Sequence, residues 1–323
     1  MNRRQHLLAL GAGLSGLAAA PAVLARPRPQ SRPQSRLLPG PGRPGSAPAL
    51  QWVTDAAEGA GLSFRTFDSP ALGRPVSFHI YVPPAYAADP ARRFPVVYWL
   101  HGSGGGIPGV PRLAAYFDQA IQSGQVPPFL VVFVNGLRMG MYVDWSNGQA
   151  PLETIIVHEL RPHIDANWRT QATREGRLLD GFSMGGYGAA RFGFRYPELF
   201  RTVSMMGAGP MQETLTSTPR ASQVQAEDIL GRVYGGSQAG FQAVSPRRYA
   251  RENAARLARG SRLRLVIGER DETLANNRDF HAYLKDLRIP HDWIVLPGVG
   301  HDPFQVLTAL GDRQWAFYRE AFG

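Results

Sequence analysis

Apolar residues along this chain fall into short continuous runs separated by stretches of helical period. Leu62 to Phe67 and Val76 to Val82 instead alternate polar and apolar positions, which predicts an antiparallel strand pair ended by Pro83 and Pro84. Phe94 to Leu100, Phe129 to Val134, Leu263 to Ile267 and Trp293 to Leu296 are largely apolar runs, the pattern of strands covered on both faces, and Phe200 to Met206 is a further strand candidate. Leu178 and Leu179 form a shorter run of the same kind. A helix is predicted over Pro111 to Ser123 and another over Leu152 to Trp168, where Leu152, Ile155, Ile156, Leu160, Ile164 and Trp168 share one stripe. Pro162 should kink the second. Phe280, Tyr283, Leu284 and Leu287 mark a third, and a final helix runs through Phe304, Leu307, Leu310, Trp315 and Tyr318. This repeated alternation predicts an α/β fold with a mostly parallel central sheet and helices on both faces. Ligands of such sheets meet the loops beyond the carboxyl ends of the strands. Gly207 to Gly260 is less regular, and it stands where a lid, a substrate-shaping insertion or an ordinary surface excursion would be.

Composition narrows the chemistry. The chain of 323 residues can bury a substantial core, and its lack of cysteine excludes disulfides, a thiol nucleophile and thiolate-bound metal. Its formal charge of +10 would suit a nucleic-acid partner if it were spread over the folded part. Arg3, Arg4, Arg26, Arg28, Arg32, Arg36 and Arg43, however, lie in residues 1–48, which hold no acid; subtracting these seven leaves +3 for the remainder. No basic run with interleaved aromatics follows, so no nucleic-acid partner is expected.

The first 25 residues have the parts of an export signal: Arg3 and Arg4, an apolar stretch rich in Gly and Ala, and small residues up to Ala25. The paired arginines resemble a twin-arginine signal, which implies an exported protein, periplasmic or secreted, with no stable membrane insertion once the signal is removed. Gly11, Gly13 and Gly16 spell G-x-G-x-x-G, but no strand precedes them and no acid follows at the right interval, so the dinucleotide reading fails. Residues 26–48, rich in Pro and Arg, predict a disordered linker, and 49–323 a catalytic domain.

Chemistry concentrates where strands end. Gly181, Phe182, Ser183, Met184 and Gly185 form G-x-S-x-G between a strand and a Gly/Ala-rich helix, the nucleophile elbow pattern. A serine hydroxyl needs a base and a group to orient that base. Asp271 follows one later strand in G-E-R-D and His301 follows the next in G-V-G-H, giving the chain order Ser, Asp, His. Glu269 or Glu272 could serve as the acid instead, and Asp271 could be a helix N-terminal residue ahead of Thr273. His281 and His291 compete with His301 but fall within a helix and before a strand. Met184 and the glycine-rich loop after Leu100, at Ser103 between Gly102 and Gly104, are the candidate oxyanion donors. No G-K-[ST] follows Gly104 to Gly106, so the loop is not a phosphate loop. His158 and His163 are five apart, turned about 140° from each other on a helix, whereas H-E-x-x-H needs a spacing of four. No metal and no cofactor are expected.

The segments YWLHGSGGG, MYVDWSNG, HELRPHID, GFSMGGYGAARFGFRYPELF, GERD and PGVGHD, in that order, resemble the esterase family of α/β-hydrolases, from about Leu62 to the C-terminus. That family includes feruloyl and acetylxylan esterases, enterochelin esterases, S-formylglutathione hydrolases and mycolyltransferases. The resemblance implies the α/β-hydrolase fold, triad roles for Ser183, Asp271 and His301, oxyanion roles for Ser103 and Met184, and cleavage of a small-molecule or polysaccharide-linked ester. It also implies that Tyr142, Asp144 and Trp145 lie near the active site, where they either shape the pocket or pack in the core. Acyl transfer by the same triad is the alternative, and an inactive glycan- or protein-binding scaffold a third reading. Two departures bear on substrate: Gly298-Val299-Gly300-His301-Asp302-Pro303 lacks the tryptophan many members carry after the histidine, and Gly207 to Gly260 carries no family motif.

Overall fold

The apolar runs become strands of one eight-stranded sheet in a computed structural model that describes residues 49–218 and 220–323. The expected signal and linker lie outside the described residues. The strands are β1 (Leu62–Ser69), β2 (Arg74–Tyr81), β3 (Val96–Leu100), β4 (Leu130–Val134), β5 (Arg177–Phe182), β6 (Thr202–Met206), β7 (Arg262–Gly268) and β8 (Asp292–Leu296). Their order across the sheet is β1-β2-β4-β3-β5-β6-β7-β8. β2 is antiparallel to both neighbours, and every pairing from β4 through β8 is parallel.

The continuous apolar runs reflect burial on two sides. Along β3, Val96, Tyr98 and Leu100 join one core cluster while Val97 and Trp99 join another, and β4 alternates in the same way. The first cluster lies under α3 (Arg161–Asn167), α4 (Met184–Arg195), α7 (Pro246–Glu252) and α9 (Leu274–Asp286). The second lies under α2 (Val110–Gln122), α10 (Pro303–Leu310) and α11 (Asp312–Phe322). Short helices α1 (Ala85–Ala88), α5 (Gln223–Tyr234), α6 (Gln238–Ala243) and α8 (Ala254–Ala258) complete the set among the described residues.

Three expectations change in detail. The helix over 152–168 is a π-helical segment, Thr154–Leu160, running into α3, with Pro162 in the first turn of α3. Proline has no N–H to close an α-turn onto the carbonyl four residues back, and the ladder widens just before it. The final helix is two, because Gly311 between α10 and α11 adopts φ 52°, ψ −131°, a conformation that glycine reaches without strain. The stretch 207–260 is largely helical, holding α5 to α8. Serines start three of these four: Ser222, Ser237 and Ser245 each accept a hydrogen bond from the N–H three residues on.

Candidate active site

Ser183 sits at the turn from β5 into α4 with φ 60° and ψ −120°, a conformation that costs a non-glycine residue about 1–3 kcal/mol. The flanking glycines allow it. A Cβ on Gly185 would collide with the Leu100 carbonyl oxygen, and one on Gly181 would strike the Gly185 carbonyl. The elbow is therefore wedged against the end of β3 by two residues that have no side chain. Its backbone is fixed from the other side, where the Ser183 N–H donates to the Met206 carbonyl at 2.9 Å.

The loops after β7 and β8 bring Asp271 and His301 to this turn. His301 Nε2 lies 2.9 Å from Ser183 Oγ, and His301 Nδ1 lies 2.7 Å from Asp271 Oδ2. With the proton on Nδ1 donated to the carboxylate, Nε2 is left to accept from the serine hydroxyl. The Phe182 ring, its centroid 4.6 Å from that of His301, packs against the imidazole. The His301 side chain is 4% exposed and that of Asp271 is fully covered, so their contact is sheltered from solvent. Burial by itself would raise the Asp271 carboxyl. Hydrogen bonds from His301 and Thr273 outweigh it and hold the group below the usual carboxylate range.

Asp271 does not cap α9, whose first residue is Leu274 after Thr273, but it braces the turn that leads into that helix. Its Oδ1 accepts from the Thr273 N–H at 2.8 Å and from the Thr273 hydroxyl at 2.7 Å, while Oδ2 faces His301. The rival acids and histidines have other partners: Glu269 accepts from the Gly298 N–H, Glu272 pairs with Arg220, and His281 bonds His291 while stacking on Trp293. Asp271, Glu272 and His301 also have atoms within 4.8 Å of one another, a spacing that could hold a cation. His301 Nδ1 and Asp271 Oδ2 already hold each other. His158, Glu159 and His163 bond Tyr196, bond Ser69 and Ala71, and stack on Phe67, respectively.

The N–H groups of Met184, first in α4, and of Ser103 make no hydrogen bond to another described residue. The loop carrying Ser103 lies against the elbow, since a Cβ on Gly102 would be 3.3 Å from Ser183 Cβ. The Gly104 N–H, donating to the Arg138 carbonyl at 2.7 Å, anchors its far side.

Two cavities meet at Ser183. One, of 190 Å³, is walled by Met139, Met141, Met184, Met211, Ala226 and Ile229, with Gln212 and Asn276 among its polar residues. The other, of 330 Å³, is bordered by His301, Trp99, Phe182, Phe304 and the glycine loop. Ser103, Ser183 and Arg220 line both. Tyr142, Asp144 and Trp145 line neither. The buried Tyr142 hydroxyl donates to the His101 carbonyl at 2.9 Å and so braces the glycine loop; Trp145 is buried and donates to the Gly140 carbonyl; Asp144 is exposed and accepts from the Thr154 N–H and hydroxyl. Met139 and Met141 of the same segment face the first cavity instead. Also unforeseen is a buried ion pair behind the elbow helix, in which Arg191 of α4 meets Glu153 at 2.9 Å and bonds the carbonyls of Val244 and Tyr142.

The family described as Putative esterase matches residues 69–322. A Mycobacterium tuberculosis protein named as an esterase is 27% identical over 262 residues, 74% of this chain and 55% of that protein. An endo-1,4-beta-xylanase/feruloyl esterase of Xylanibacter ruminicola is 28% identical over 166 residues, 48% of this chain and 23% of that protein. The chain thus spans about half the length of the mycobacterial relative, and less of the other. Among solved structures, a ferulic acid esterase superposes with a TM-score of 0.67 at 22% identity, covering 81% of this chain and 98% of its own. An S-formylglutathione hydrolase from Agrobacterium tumefaciens gives 0.65 at 19%, covering 81% and 95%. These two share the α/β-hydrolase fold found here. With the family match running over residues 69–322, the greater part of its length, the chain belongs to the esterase family.

Proposed function

We propose that this chain is a carboxylic ester hydrolase that works through an acyl-enzyme on Ser183. The observation that carries the reading is the hydrogen-bonded series Ser183, His301, Asp271 at a strained turn, with two free N–H groups beside it. Ser183 Oγ attacks the ester carbonyl while His301 Nε2 takes its proton, and Asp271 stabilises the imidazolium that forms. The N–H groups of Ser103 and Met184 receive the developing oxyanion. His301 then returns the proton to the leaving alcohol, and water, activated by the same imidazole, releases the acid.

Proton delivery assigns the cavities. The leaving oxygen must lie within reach of His301, which borders the 330 Å³ cleft and not the methionine-walled cavity. The alcohol half therefore occupies the cleft, and the acyl half the methionine cavity. We read the chain as exported, from its N-terminal arginine pair and apolar stretch, which favours an ester on polysaccharide, lipid or an imported compound over a cytosolic thioester. The feruloyl esterase among its relatives makes aromatic acyl esters part of the first panel to test.

Purified protein should hydrolyse p-nitrophenyl butyrate and lose that activity with Ser183→Ala. Retention of full activity by the alanine variant would refute the mechanism. Failure of a fluorophosphonate probe to label Ser183 would point to an inactive scaffold. Acyl transfer differs only in what enters the cleft after the alcohol leaves, so the yield of transferred product against free acid in added alcohol separates the two.

A further inference from the structure

The two cavities at Ser183 share one charged wall. Among the described residues lining either, Arg220 is the sole Lys, Arg, Asp or Glu. A tight turn presents it: Thr218 and Ala221 exchange backbone hydrogen bonds at 2.8 and 3.1 Å, and the Arg220 N–H donates to the Thr218 hydroxyl at 3.2 Å. Its guanidinium meets Glu272, next to Asp271 in the chain, through a single 3.3 Å contact with both side chains close to half exposed. An exposed pair of this kind is weak and readily exchanged. A substrate carboxylate can therefore displace Glu272 and take both guanidinium N–H groups in the fork geometry that arginine offers.

From this geometry we infer that the alcohol half of the substrate carries a negative charge and that Arg220 anchors it. The inference rests on the ester-hydrolase reading and on the assignment of the alcohol to the cleft beside His301. Arg220 lines the methionine cavity as well, but an anion on the acyl half would there lie among Met139, Met141, Met184 and Met211, apolar walls that offer no second charge to compensate its lost hydration. The cleft is the larger space, and its neighbouring charges are compatible with an anion. Arg112 stacks over Phe304 at 3.7 Å, and Arg138 lies behind Gly105. Asp302, at the same rim, is engaged in capping α10 through the Gln305 N–H.

The test compares the butyryl ester of 4-hydroxy-3-nitrobenzoate with that of 4-hydroxy-3-nitrobenzamide, which differ only in a carboxylate or a neutral amide on the leaving group, using the full chain at low salt. The carboxylate should be preferred about tenfold or more in kcat/KM, mainly through KM. Arg220→Gln should remove the preference, Arg220→Lys should keep part of it, and added salt should shrink it. Equal kcat/KM for the two esters in the wild type, or a preference that survives Arg220→Gln, overturns the inference. So does a preference shown instead for an anionic acyl group, measured with the mono-p-nitrophenyl ester of glutaric acid against p-nitrophenyl butyrate. Absence of turnover on every ester overturns the ester-hydrolase reading itself, and the inference with it.

Discussion

The Asp271 carboxylate has both oxygens engaged, one with Thr273 and one with His301, and the two bonds can be separated by mutation. Asparagine keeps an oxygen for Thr273 but presents no negative charge to the imidazole, which then loses its preferred tautomer. Asp271→Asn should lower kcat by about 10⁴ while the unfolding midpoint moves little. A large fall in stability with kcat preserved would mean that the residue serves the helix and not the histidine. Because the folded carboxyl is held below its ordinary value, its contribution to stability is complete above the ordinary carboxylate range and is lost as pH falls through the folded value. Acid unfolding of Asp271→Asn should therefore be less steep over that window than that of the wild type. Gly185 gives a second residue-scale prediction. Since its Cβ would overlap the Leu100 carbonyl, Gly185→Ala must shift β3 or the elbow, and a fall in kcat/KM on p-nitrophenyl butyrate of a hundredfold or more, or failure to fold, is expected. Wild-type kinetics in that variant would mean that the wedge against β3 does not set the serine.

Element by element, the parts easiest to read in the sequence are those with a period. The strands are announced by alternation in β1 and β2 and by apolar runs in the rest, and the longer helices mostly by helical apolar spacing; Ser183, Asp271 and His301 could be named because each lies in the turn or loop after such a strand. The cavity walls have no such signal. Leu137, Met141 and Tyr142 take positive φ (55°, 56° and 50°), so neither of the regular periods says which side chains of that segment face inward, and Met139 and Met141 went unseen beside Tyr142, Asp144 and Trp145. In 207–260 the helices are 5 to 12 residues long, too short for a stripe to stand out, although the serine caps were there to be read. α5 now acquires a specific task, since its Ala226 and Ile229 line the methionine cavity. Ala226→Phe should fill that space. Butyrate esters should still turn over, octanoate esters should lose kcat/KM at least tenfold, and an unchanged chain-length profile would place the acyl group elsewhere.

At the scale of the whole molecule, buried charges tie the sheet to its covering helices. Asp180 of β5 and Arg264 of β7 are both fully buried, 3.7 Å apart across β6. The Tyr318 hydroxyl of α11 donates to Asp180 at 2.7 Å, and Arg264 donates to Ser204 at 2.9 Å and to Gln314 of α11. Burial is the dominant influence on both: it raises the Asp180 carboxyl and lowers the Arg264 guanidinium, each toward its neutral form. For Asp180 the sign is opposite to that of Asp271. A carboxyl raised on folding supports stability in its protonated form, and that support is lost as pH rises through the folded value. Several atoms of the group, among them Asp180 Oδ1, Arg264 Nη1 and Gln314 Nε2, have no partner among the described residues. The pair is thus costly to maintain and still costlier to break. Arg264→Met leaves an uncompensated carboxylate in the core and should lose about 3–5 kcal/mol of unfolding free energy, measured in denaturant. Adding Asp180→Leu should recover most of that loss. The same double variant should keep its fluorophosphonate labelling, because the elbow takes its shape from Gly181 and Gly185 against β3 and not from this pair. Losses that simply add would show that the two side chains act independently.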